Sequence, residues 1–150
     1  MKLFQIEEPD GGPPDPSAAG AAIGIDASTA VVKVAFSVGG NAVILADREG
    51  SERVIPVPAM TAGTPEWQAV FEAARTRAER ALARPVTHAV IALGQTPDVD
   101  TANRLRDAAD GAGLRLLRLA VAAELRAASA LALAAAMLAE DLAPSPERDA

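Results

Sequence analysis

The strongest constraint in this sequence is an alternation. Short apolar runs at Thr87–Leu93 and Leu114–Leu119 are separated by segments whose apolar residues recur at helical spacing. Apolar runs of this length, bounded by turn formers, suit buried strands, and strands alternating with helices belong to α/β sheets. Upstream, Ala22–Ile25, Val31–Val38 and Ala42–Ala46 read as three further strands, with Gly39-Gly40-Asn41 as the hairpin turn between the last two. Arg53–Val57 extends the third strand or forms a short fourth one, which Pro56 and Pro58 end.

The helices carry their own punctuation. Thr64 is a natural N-cap, Pro65 suits the first helical position, and Glu66 suits the positive end of the dipole. Trp67, Val70, Phe71, Ala74, Ala78 and Leu82 then line one apolar face. A second helix opens near Thr96-Pro97-Asp98 and closes at Gly111-Ala112-Gly113, and a last one runs from about Val121 to Leu142. The predicted class is α/β, with a mixed sheet of about five strands in the order β-β-β-α-β-α-β-α. That order is the ribonuclease-H-like unit. A single domain over 21–142 is expected, flanked by flexible tails at 1–20 and 143–150, where proline and glycine collect.

Composition narrows the chemistry. A chain of 150 residues supports one compact core and not two. The net charge of −6 argues against nucleic acid and anionic membrane surfaces as partners. There is no cysteine, so disulfides, cysteine-ligated zinc and thiol catalysis are excluded. A single histidine disfavours a histidine-rich metal site or relay. The opening residues Met1–Glu8 lack the apolar run of a signal peptide, and the longest apolar stretch, Ala127–Ala139, falls short of the roughly 20 residues of a membrane span. A cytoplasmic location is the expectation.

Three segments point to a family. Ile23-Gly24-Ile25-Asp26-Ala27-Ser28-Thr29-Ala30 resembles the first strand and phosphate loop of DnaK-type heat-shock chaperones, usually I-G-I-D-L-G-T-T. Glu49-Gly50-Ser51-Glu52-Arg53-Val54-Ile55-Pro56 is similar to that family's E-G-x-R-x-x-P turn, offset by one. Pro85-Val86-Thr87-His88-Ala89-Val90-Ile91 resembles P-V-T-x-A-V-I, and the likeness runs on without a gap through Asp107-Ala108 and Ala112-Gly113-Leu114 to Arg118-Leu119. It covers about a hundred residues. The resemblance implies an actin-like ATPase domain, in its first subdomain only.

The departures decide what such a subdomain is expected to do. In the family an insertion before the first helix supplies a catalytic lysine, whereas here Met60-Thr61-Ala62-Gly63 fills that space. The family's N-E-P-T-A-A-A follows the strand that ends at Leu119. Its glutamate falls on Ala122 and its proline on Ala123, with Glu124 two residues late, a rotation of about 200° on a helix. No counterpart of the second lobe, with its glycine-rich phosphate loop and adenosine pocket, is found in this sequence. Ser28 replaces the phosphate-loop glycine that lets backbone N–H groups approach a phosphate. Asp26 with the Ser28 and Thr29 hydroxyls is left as a vestigial phosphate loop. It is either an ordinary turn or a half-site for ATP and magnesium completed by another chain. Half a cleft encloses too little of a ligand, so any lone nucleotide affinity is expected near the millimolar level, about −4 kcal/mol.

Other candidates have plainer explanations. His88 has no second ligand nearby and suits a strand end. Asp98 and Asp100 suit the start of a helix better than a magnesium site. Arg104, Arg106, Arg115, Arg118 and Arg126 are interleaved with Asp107, Asp110 and Glu124, which fits helix-face ion pairs better than a phosphate track. A ribonuclease-H-like nuclease would need several carboxylates around Asp26, and the strand ending Ile91-Ala92-Leu93-Gly94 offers none.

The last helix is the positive feature. From Leu125 to Leu138 it is apolar all round, with Ser129 the sole polar group between Arg126 and Glu140. A sheet covers one face of such a helix, so the other is expected to meet a second copy or another protein, with Leu131, Met137 and Leu138 as anchors. The alternative is an alanine-rich face mild enough for water. The sequence therefore predicts a non-catalytic interaction or assembly module, a pseudoenzyme with no cofactor or metal of its own. Its partner surface is placed at residues 125–139.

Overall fold

The computed structural model describes residues 20–38, 41–45, 54–125 and 131–143. Its elements run β1 (Ala21–Ala27), β2 (Lys33–Val38), β3 (Asn41–Leu45), α1 (Thr64–Leu82), β4 (Val86–Leu93), α2 (Val99–Gly111), β5 (Arg115–Val121), a 3-10 turn (Ala122–Leu125) and α3 (Leu131–Leu142). The chain is an α/β protein with a five-stranded mixed sheet in the order β3-β2-β1-β4-β5. β1, β4 and β5 are mutually parallel, and β2 and β3 are antiparallel additions beyond β1. The two expected tails lie outside the described residues except at their inner ends. There Gly20 N–H donates to Thr87 Oγ1 at 3.0 Å, and Ala143 N–H bonds to Ala139 O at 2.9 Å.

Strand alternation sorts the sheet into two unlike layers. One face of β1 sends Ile23 and Ile25 into a core with Val34, Ile91, Leu93, Trp67 and Phe71 of α1, and Leu105 of α2. The opposite face is covered by α3. Among the described residues, every buried apolar side chain in that second layer is alanine except Val90: Ala22, Ala35, Ala92 and Ala120 from the strands, and Ala132, Ala135, Ala136 and Ala139 from the helix. Gly24 completes it. A Cβ there would stand 2.2 Å from the Ala136 nitrogen and 2.6 Å from the Ala135 carbonyl carbon. The alanine surplus of this sequence and one glycine let α3 lie almost in backbone contact with β1.

Several local expectations shift. Gly63, not Thr64, is the N-cap of α1, because the Gly63 carbonyl accepts the first helical bond, from Trp67 N–H at 3.4 Å. Pro65 is then the second helical residue, where its missing donor is equally harmless. The last helix does not begin at Val121. That residue prolongs β5 by pairing with Leu93, a 3-10 turn follows, and α3 starts at Leu131. The expected rotation of Glu124 on a helix therefore does not apply. Val31 and Val32 fall outside β2 and meet the returning chain instead, with Val32 N–H bonding Ile55 O at 2.8 Å and Val57 N–H bonding Ala30 O at 3.0 Å. Val54–Val57 thus makes a short bridge to the start of β2 rather than a lengthened β3. Val38 pairs with Asn41 across the hairpin, and Gly39, Gly40 and Glu49–Arg53 of the E-G-x-R segment lie outside the described residues.

Candidate functional site

The carboxyl ends of β1, β4 and β5 meet at one edge of the sheet, the place where open α/β sheets bind ligands. Asp26 ends β1 there, buried, with Ala92 of β4 and Lys33 of β2 as its register partners. Its Oδ1 accepts from both Ser28 N–H at 2.9 Å and Ser28 Oγ–H at 2.5 Å. This is an Asx turn in which one carboxylate oxygen of Asp26 takes both Ser28 donors. Thr29 is exposed, and its hydroxyl makes only a long 3.5 Å contact to Val31 O. The loop after β4 lies alongside, since a Cβ on Gly94 would come within 3.1 Å of Ser28 O. The structure thus brings Asp26, Ser28 and Thr29 together and commits two of the three to holding the turn.

Among the described residues, no carboxylate or histidine cluster joins Asp26 at that edge. β4 ends in Ala92-Leu93-Gly94, and among the described residues no three histidine, aspartate or glutamate side chains converge. Asp98 caps α2: its Oδ1 accepts from Thr101 N–H at 2.7 Å, and those bonds hold its carboxyl below the ordinary range. His88 is half-buried beside Thr87, whose Oγ1 lies 2.7 Å from Nδ1. Burial, then the charge of Arg115, lowers its pKa below 6.5. Arg104 does not follow the expected ion-pair pattern. Its guanidinium donates to Met60 O at 3.2 Å and Thr101 Oγ1 at 3.0 Å, tying α2 to the segment before α1.

The expected interaction surface divides on inspection. The alanine face of α3 points into the sheet, and the larger side chains take the flanks and the outside. Met137 is 43% exposed and Leu142 41%, while Leu133 and Leu138 are half-buried over the edges of the alanine layer. Ser37 of β2 donates to Glu140 Oε1 at 2.8 Å, fixing the end of the helix. Of the three expected anchors, Met137 is on the surface, Leu138 packs partly inward, and the Leu131 side chain lies outside the described residues, as do 126–130. No helix among the described residues is long and apolar enough to cross a membrane.

Sequence reasoning missed one concave feature. A groove of about 500 Å³ opens between Val54–Pro58 and the Glu66, Ala69, Val70 and Ala73 side of α1. It is apolar apart from Glu66. Its sequence signals were the Pro56-Val57-Pro58 segment and the small residues beside the main α1 stripe, and neither has meaning until the two segments are placed together. Comparison with protein-family models and with curated proteins finds no match for this chain.

Proposed function

We propose that this chain is a non-catalytic interaction module built on a ribonuclease-H-like scaffold of the chaperone ATPase type, and that it docks a protein partner on the outer face of α3. The observation that carries the reading is the inversion within α3. Its smallest residues are spent on the sheet, Met137 and Leu142 are left toward water, and Leu133 and Leu138 are only half-buried on the flanks. A helix that merely sealed a sheet would point its large apolar groups inward. The sheet order and the placement of Asp26 at the end of β1 support the scaffold half of the reading. The bonds from Ser28 to Asp26 support the absence of catalysis, because a phosphate would have to compete for donors that Asp26 Oδ1 already holds.

The second reading, an ATP and magnesium half-site at Asp26, Ser28 and Thr29 completed by another chain, is favoured by the location of that loop at the carboxyl edge of the parallel strands. Two measurements separate them. A photo-crosslinking residue at position 137 should yield a discrete adduct in cells that express the chain, lost with Leu138→Asp, while one at exposed Val99 on α2 should not. Equal labelling from both positions, or none, refutes the α3 surface. Calorimetric titration with ATP and magnesium should give no heat up to millimolar nucleotide, and heat abolished by Asp26→Ala would establish the half-site instead.

A further inference from the structure

The two edges of the sheet are unlike. β5, at one edge, exposes Arg115 and Arg118, and charged side chains are the usual device that keeps an edge strand from pairing with another chain. β3, at the other edge, reads Asn41-Ala42-Val43-Ile44-Leu45 and has no charge, no proline and, among the described residues, no second neighbour. Val43 is 55% exposed and Ile44 44%. They are consecutive, so they stand on opposite faces of the sheet. A helix laid on the surface meets only one of them, whereas a strand added along the edge sets a cross-strand neighbour beside each on its own face.

We infer that β3 is a self-association edge, pairing antiparallel with β3 of a second copy to make one continuous ten-stranded sheet. This surface is separate from the outer face of α3 and does not depend on it. A second copy is the occupant because the strand is its own complement. Antiparallel pairing about a two-fold axis sets the same five residues against themselves. Full overlap puts the axis at Val43, with Val43 opposite Val43 of the partner subunit, Ala42 opposite Ile44 of the partner subunit, and Asn41 opposite Leu45 of the partner subunit. None of these pairs brings like charges together, and Val43 and Ile44 each gain an apolar cross-strand neighbour. Each chain carries a net charge of −6, so added salt tightens the pair by screening the two bodies from each other.

Sedimentation of the full chain should show twice its 15.3 kDa at tens of micromolar, with association strengthening as salt is raised. Val43→Lys and Ile44→Lys together should leave a folded monomer by circular dichroism. Because the chain has no cysteine, Val43→Cys gives a direct register test. Directly opposed residues in an antiparallel pair bring their Cα atoms to about 4.5–5.5 Å, within disulfide reach. Mild oxidation should then link the two copies, while Val99→Cys on exposed α2 should stay unlinked. A monomer at all concentrations, or a dimer that survives both lysines, overturns the inference. So does a dimer abolished by Met137→Asp but not by the lysines, which would place self-association on α3. If the lysine variant unfolds, the Val43→Cys disulfide decides.

Discussion

At the scale of single residues, Gly24 does the most. Its missing side chain is not a matter of backbone freedom. The three atoms nearest a Cβ there all belong to the α3 backbone, the closest at 2.2 Å, so no rotamer change can make room. Gly24→Ala should push α3 off the sheet and cost about 3 kcal/mol, the upper end for overpacking. A urea midpoint close to that of the wild type would show that α3 can shift freely and would refute the close packing. His88 gives a second test. Burial and Arg115 hold the folded imidazole below 6.5, so the unfolded chain binds the proton more readily. Stability should therefore rise with pH up to 6.5 and be lost as pH falls through that value toward the depressed folded one. His88→Gln should flatten this slope in denaturation midpoints taken between about pH 5 and about pH 7.5. An unchanged slope would assign the pH dependence to other groups.

At the scale of elements, α2 starts where its local chemistry places it. Asp98 caps Thr101 N–H as its type and position require, and Asp98→Ala should lower the melting temperature by a few degrees while Asp98→Asn, which still caps, recovers most of the loss. Equal losses for both would mean the charge, not the hydrogen bond, matters. The five strands and three helices were legible because their apolar periods are strong: Ile23 and Ile25, or Trp67, Val70, Phe71, Ala74 and Ala78, declare a face without help. The register of α3 was not legible. Alanine carries almost no preference between a tight sheet contact and water, so an all-apolar run hides which side is buried. Only Gly24, sixty-odd residues from β4 and more than a hundred from α3, reveals it. The end of β5 was hidden for a related reason. Val121 and Ala122 suit strand or helix alike, and the deciding bond is the pairing of Val121 with Leu93. At the candidate site, the sequence placed Asp26 correctly at the end of β1, yet the closure of its carboxylate on Ser28 is a matter of local geometry that spacing does not encode.

At the scale of the whole molecule, the two layers on the sheet hold with different strength. Trp67, Phe71, Leu105, Leu114 and the isoleucines of β1 and β4 fill one side, and each such residue is worth roughly 1.5–3 kcal/mol when buried. The other side rests on alanines and Val90, each methyl contributing less than about 1 kcal/mol. Close backbone contact adds dispersion energy but removes little apolar area from water. α3 should therefore detach before the rest unfolds, opening as a separate unit below the global free energy. The chain has one tryptophan, fully buried in the stronger layer, so its fluorescence reports the global event alone. Amide exchange in native buffer should give opening free energies for Ala135, Ala136 and Ala139 well below those for Ile25 and Ile91, while the urea curve followed through Trp67 stays a single transition. Equal values for the two sets would mean that the alanine layer is as strong as the aromatic one. A low opening free energy would place α3 among the elements a binding partner can order, and the same exchange experiment, repeated with the partner bound, should show protection rising in α3 before it rises anywhere else.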